Sequence, residues 1–476
     1  MKKTISLLLT AMMLFVLVAA CNNNNDDSGG NQPVNNQPAN TNQAADNNQP
    51  ADNNQSADDN QPAGPGGLNL AIFEGGYGPD FWHAISEMFE AETGVTVNLQ
   101  ISPNIGETIR PQIVAGNVPD FMNLSIADES GIVASMIAER ALMNLNDVFD
   151  GPQFDSPASL RDKIIPGFLE SNQCAPYGDG NIFLAPGAGG PMGLVYNITL
   201  FEEKGWDLPV TWDDFFALGE LAKAEGMSLF TYQGMHPGYM ESVLLPALAS
   251  ALGSDYARIE DFTPGIWTDP RVMAVLEKIE HIYTSGNLMP GTVGLNHTQS
   301  QAAQMMNEAL FIPNGVWMEG EMADADRAPG YRFGLTPPPV MNRGDTRYVA
   351  AYVENFSIPA GAPNAENAKL FLRFLYTDEA VRLYAQLNDG AVMVTNNALE
   401  LVQPYLTEGV YGMFGAFTEP GAAALIFGFA APPEGTIIVY KDEIFNPIGD
   451  VMSGRMTALD WAQSMNQAYQ DMADGR

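Results

Sequence analysis

Leu68-Asn69-Leu70-Ala71-Ile72-Phe73-Glu74-Gly75-Gly76-Tyr77-Gly78-Pro79 decides the fold class. The apolar residues from Leu68 to Phe73 read as a buried strand, and Gly75 to Pro79 as a loop with proline near a helix start. Working outward, Phe81, Ile85, Met88 and Phe89 recur at helical spacing, and Gly94 stops that helix. Val95, Val97, Leu99 and Ile101 alternate as a strand. Ile105, Ile109 and Ile113 mark a second helix ending at Gly116, and Asp120–Leu124 reads as a third strand. Strand, helix, strand, helix, strand is the order of an α/β protein with a largely parallel sheet. In such sheets ligands sit at the loops beyond the carboxyl ends of the strands.

The alternation continues. Met192–Tyr196, Ser228–Tyr232, Leu310–Ile312 and Tyr348–Ile358 read as strands, and Thr211 with Asp214 as a capping box opening a helix to about Glu225. Helices are expected near 238–252, 270–285 and 298–307, and from Asn364 and Thr377. Met456, Leu459, Met465 and Tyr469 give the last helix one apolar side, which should dock. No repeat of solenoid length is visible.

Ahead of Leu68 the chain has a different character. Lys2 and Lys3 precede an apolar run from Ile5 to Ala20, shorter than the roughly 20 residues a spanning helix needs. Small residues Ala19 and Ala20 then meet Cys21, an arrangement that resembles the lipobox of bacterial lipoproteins. Residues 1–20 are therefore expected to be a signal peptide and Cys21 a lipidated first residue. Residues 21–67 repeat Asn, Gln, Pro, Ala and Asp with no aromatic; such a tract cannot bury enough surface to offset chain entropy and is expected to be a disordered tether. No second long apolar run suggests a transmembrane helix.

Acidic residues outnumber basic ones 57 to 21, a formal charge of -36 that disfavours nucleic acid and anionic headgroups as partners. Only two cysteines occur; with Cys21 lipidated, Cys174 has no disulfide partner and reads as a small buried or loop residue. His83, His236, His281 and His297 form neither a zinc motif nor a Cys/His cluster, so no metal and no cofactor are expected. Walker A and nucleophile-elbow motifs are absent. Among candidate carboxylate pairs, Asp213/Asp214 and Glu319/Glu321 are explained by helix starts, and nothing singles out the third, Glu74 with Glu354, as hydrolytic. Asp324 and Asp326 lack the rest of a calcium loop.

Binding chemistry remains. Aromatic plates flanked by carboxylates and amides suit the apolar faces and hydroxyl rims of sugars. Such groups follow the expected strands: Glu74 and Tyr77; Ser125 and Asp128; Tyr232 and Gln233; Asn314 and Trp317; Glu354, Asn355 and Phe356.

Four stretches carry a resemblance. They are Phe89–Val97; Ala115-Gly116-Asn117-Val118-Pro119-Asp120; Gly193–Asn197 followed by Phe201–Gly205 and Pro209–Phe215; and Ile358-Pro359 through Thr377–Ala380. In this order they resemble the family 1 extracellular solute-binding proteins of bacterial ABC importers, the group that contains maltose- and oligosaccharide-binding proteins. The resemblance implies a two-lobed periplasmic-binding-protein-like fold of type II, with hinge-connected lobes. Lobe 1 would comprise 68–190 and 336–390, and lobe 2 191–335 and 391–476, with crossings near Pro191–Asn197, Tyr331–Pro339 and Leu387–Val394. It implies ligand contacts at Glu74, Tyr77, Asp128, Tyr232, Gln233, Trp317, Glu354 and Asn355, with Trp317 as the stacking aromatic. Glu354 and Asn355 depart from the small residues usual at that crossover. Pro313–Met322 further resembles the subgroup that binds N-acetylglucosamine or its disaccharide. The implied protein is a monomeric, non-catalytic receptor, lipid-anchored on the extracytoplasmic face of the cell membrane. It would pass a neutral mono- or oligosaccharide to the transmembrane subunits of a permease. A sensor or adhesion module on the same scaffold, and a glycan-active enzyme, are the alternatives.

Overall fold

Leu68–Phe73 forms β1 in the computed structural model, which describes residues 66–75, 78–126, 130–388, 391–433, 436 and 438–475. The signal-peptide, lipidation and tether expectations, Cys21 included, lie outside the described residues, save Gly66 and Gly67, whose carbonyls accept from the Asn367 amide. The helix Asp80–Thr93 follows, and Gly94 closes it at φ 72°, a left-handed conformation that favours glycine. Then come β2 (Val97–Ser102), the helix Ile105–Val114 and β3 (Phe121–Asn123). β2 and β3 both pair with β1 in parallel, as the opening pattern predicts. Asp120, buried just before β3, accepts hydrogen bonds from the backbone of Asn69 at 2.8 Å and of Asn364 at 2.7 Å. That carboxylate ties β1 and β3 to the helix Ala365–Leu375.

The remaining strands are β4 (Leu184–Asn197), β5 (Ser228–Phe230), β6 (Ala309–Gly315), β7 (Phe333–Thr336), β8 (Arg347–Ser357), β9 (Val392–Met393) and β10 (Ala422–Leu425). They run in the order β2-β1-β3-β8-β4-β6-β5, with β10 on β8 and with β7 and β9 on β4. The sheet is mixed rather than largely parallel. Parallel pairs stand at its ends, but β8 runs antiparallel to β3 and β4, and β4 antiparallel to β6. The reason is that β4 and β8 carry the chain between two cores in opposite directions.

Packing makes this visible. Ala185 and Ala188 of β4 bury in one core with β1, while Met192 and Leu194 bury in another with Trp212, Phe230 and Phe311. On β8, Ala350 belongs to the second core and Ala351 and Val353 to the first. Residues 336–350, expected with lobe 1, thus lie on the lobe 2 side, because the handover occurs in the middle of a strand. Residues 391–402, expected in lobe 2, pack in the first core, because β9 pairs with Ala188 and Gly189. Two further clusters cover the opposite faces of each half of the sheet, including Ala71 and Met122 on one and Val195 and Ile312 on the other.

The expected capping box at Thr211 and Asp214 is present. The last helix, Ala458–Ala473, docks through Trp461, Met465 and Tyr469, whereas Leu459 faces solvent. Arg347 is buried in lobe 2, where its guanidinium meets Glu419 at 2.9 Å and donates to Thr336 and to the carbonyls of Pro209 and Pro337. Cys174 is also buried, and desolvation pushes its thiol well above the usual range, so it is not an activated nucleophile. Among the described residues no helix is long and apolar enough to cross a membrane.

Candidate functional site

Where the two cores meet, strand ends and loops enclose a cleft of about 600 Å³. Phe73 and Gly75 at the end of β1 and Glu354 of β8 form one side. The other holds Met192, the loop Met235–Tyr239, Glu241, His297, Trp317, Glu321 and the residues Lys441, Asp442, Phe445 and Asn446. Tyr352, at the handover point of β8, stands between them.

Trp317 follows the bend at the end of β6. Its ring meets Tyr352 edge-on at 5.4 Å, and Tyr239 shares the cleft wall with it. Burial raises the phenol pKa of both tyrosines, so their hydroxyls stay protonated and can donate. His297 Nε2 lies 3.3 Å from Glu321 Oε1, and the Gln301 amide donates to the other oxygen at 2.8 Å. Lys441 lies 3.4 Å from Glu241. The Glu241–Lys441 pair balances its own charge, which suits a polar but uncharged guest. Aromatic faces with tyrosine donors and carboxylate acceptors can hold a molecule with apolar faces and a hydroxyl rim.

Glu354 is different. Burial pushes its carboxyl up to about 7, against the weaker opposing effect of the Asn123 amide at 3.4 Å. Between its ordinary value of 4.5 and that value, the folded protein holds a proton that the unfolded chain has released. The stability linked to this group is therefore greatest in acid and declines as pH rises through 7. Glu260, half-buried beside the second core, is also pushed up to about 7 by desolvation and acts in the same direction. Thermal melts from pH 5 to 8 should show a falling melting temperature toward pH 8, and Glu354→Gln should flatten part of that fall. An unchanged pH profile in the variant would remove Glu354 from this account.

The cleft brings together Trp317 and Glu354 from the sequence expectations. Asn355, one position further on β8, faces the other way and lines a smaller adjoining chamber. Glu74 lies between the lining residues Phe73 and Gly75 but is not itself in the wall; its backbone N–H donates to Ser102. Tyr232 and Gln233 are fully buried behind the cleft. Tyr232 bonds through its backbone to Thr292, and the Gln233 amide donates to the Pro313 carbonyl at 2.8 Å. The strand there ends at Phe230, and its loop reaches the cleft only from Met235. Tyr77 and Asp128 lie outside the described residues. Sequence reasoning missed Tyr239, Tyr352 and Glu241, and it discounted Glu321 as a helix-start residue. Only proximity to the Asn314-Gly315 bend pointed toward the last.

A family model for bacterial extracellular solute-binding proteins matches residues 84–403. The chain belongs to that family, which puts its folded body on the extracytoplasmic side. It is similar to the diacetylchitobiose binding protein NgcE of Streptomyces coelicolor, at 27% identity over 327 residues, covering 67% of this chain and 68% of that one. It is also similar to a multiple sugar-binding protein of Streptococcus mutans, at 22% identity over 319 residues, covering 64% and 70%. Among solved structures, apo RafE from Streptococcus pneumoniae superposes with a TM-score of 0.64 at 18% identity, covering 86% of this chain and 99% of that one. The solute receptor AcbH gives 0.65 at 17%, covering 86% and 100%. These likenesses establish the two-lobed fold of solute-binding proteins.

Proposed function

We propose that this protein is the substrate-binding lipoprotein of an ABC importer, capturing a saccharide between its two lobes and presenting it to a membrane permease. The observation that carries this reading is the cleft itself. Trp317, Tyr239, Tyr352 and Phe73 supply ring faces, and Glu241, Glu321, Glu354 and Asn446 supply polar edges drawn from both lobes. Contacts made by both lobes at once favour the closed arrangement, so ligand shifts the hinge equilibrium toward it. The names of the relatives, a diacetylchitobiose binding protein and a multiple sugar-binding protein, support a sugar as the cargo. Cys21 would carry the lipid that holds the protein at the membrane, and the binding step involves no catalysis.

A thermal-shift screen of the full chain against mono- and oligosaccharides, amino sugars, polyols, amino acids and polyamines tests the proposal. A ligand at 100 times its Kd should stabilise the protein by about 2.7 kcal/mol, a rise of a few degrees. Responses confined to amines or amino acids would leave the two-lobed trap but remove its sugar. Cleavage of a responding glycan would instead indicate an enzyme.

A further inference from the structure

A second chamber of about 50 Å³ adjoins the cleft and shares Glu241, Tyr352 and Lys441 with it. Two of its wall residues carry buried polar atoms that the chain leaves unanswered. Asn355 is 3% exposed and its amide nitrogen has no partner; Gln173 is 8% exposed and its amide oxygen has none. The first is a donor and the second an acceptor. Buried polar atoms in native proteins are nearly always paired, so two on residues of one small chamber's wall call for a complementary group from outside the chain.

The rest of the wall narrows the choice. Phe427 and Phe429, anchored in the second core, supply an apolar side. Gly428 between them lets that segment close on the Gln173 loop, since a Cβ there would stand 2.5 Å from the Gln173 backbone nitrogen. Glu241 and Lys441 form an ion pair, leaving no net charge to attract an ammonium or a carboxylate. At 10–15 Å³ for each water-sized occupant, the space takes on the order of four non-hydrogen atoms. An acetamido group has four: an N–H for Gln173, a carbonyl oxygen for Asn355, and a methyl for the phenylalanine rings. A hydroxyl would leave the apolar side empty.

We propose that this chamber is a subsite for the acetamido group of an N-acetylated amino sugar whose ring lies in the main cleft. The assignment rests on the saccharide reading above and deepens it. Calorimetric titration of the full chain with N,N′-diacetylchitobiose and with cellobiose tests it, because the two share a β-1,4 skeleton and differ in acetamido against hydroxyl. The acetylated sugar should bind at least roughly tenfold more tightly. Gln173→Met and Asn355→Ala should each erase most of that preference while leaving cellobiose affinity within about twofold. Equal affinity of the native protein for both sugars, as expected of a chamber holding only water, would overturn the proposal without any variant. So would a preference that survives both substitutions. Binding of cellobiose or another saccharide without diacetylchitobiose would sink the subsite and leave the sugar receptor standing. Silence toward every saccharide would remove both.

Discussion

Replacing Gly189 with alanine should destabilise the protein by about 3 kcal/mol, in the upper part of the range for forcing atoms into a packed interior. A Cβ at this position would lie 1.9 Å from the Tyr352 carbonyl oxygen, 2.9 Å from its carbon and 3.0 Å from the Val353 Cα. All three are backbone atoms, which cannot swing aside as a side-chain end can. Gly189 is also held on both sides, opposite Val353 of β8 and opposite Val392 of β9. Relief therefore requires β4 and β8 to part at the point where both cross between the cores. The expected readout is a melting temperature lower by ~3 °C or more, accompanied by weaker ligand binding because the two cleft walls are set by these strands. Gly412→Ala is the matched control. Its Cβ would meet nothing within 4 Å, so that variant should hold or slightly raise stability. Similar melting temperatures for the two variants would show that the strand crossing accommodates side chains, contrary to this account.

The same glycines explain what sequence reading could and could not reach. The opening elements, from β1 to β3, were readable because apolar periodicity and glycine stops agree there with the final packing. β4 was only half readable. Its last residues alternate normally, but Ala185-Pro186-Gly187-Ala188-Gly189-Gly190-Pro191 has the composition of a loop. Those residues form a strand because backbone approaches backbone more closely there than any side chain permits, and propensity contains no term for a neighbour that distant in sequence. The cleft was legible in proportion to how locally it is built. Trp317 sits just beyond the end of β6 and Glu354 within β8 itself, and both could be named from the strand pattern around them. Tyr239 and Glu241 come after a strand that stops two residues earlier than its apolar run, so the expected contacts, Tyr232 and Gln233, fell short of the cleft. Lys441 and Phe445 belong to a helix, Tyr440–Phe445, whose place in the wall depends on the whole second core.

Trp317→Ala should cost the protein about 1–3 kcal/mol of affinity for the saccharide found by the screen, a loss of tenfold or more, with its melting temperature nearly unchanged. The indole is only partly buried, so its removal leaves little of the core exposed, but it forms a broad face on the cleft. Tyr352 meets it edge-on at 5.4 Å and helps to fix its angle. Gly315 provides a second handle. An alanine Cβ there would stand 2.2 Å from Trp317 Cζ3 and 2.4 Å from Cη2, at the far edge of a side chain that can rotate. Gly315→Ala should therefore turn the indole away rather than break the backbone, lowering affinity while the aromatic surface is still present. Trp317→Phe should recover part of what alanine loses, because a smaller ring still offers a face. This ordering separates a stacking role from simple space-filling: if only bulk mattered, Gly315→Ala would bind as the native protein does. Calorimetric titration of the three variants, with melting curves to verify folding, decides it, and native affinity in Trp317→Ala would place the stacking surface on another ring of the cleft.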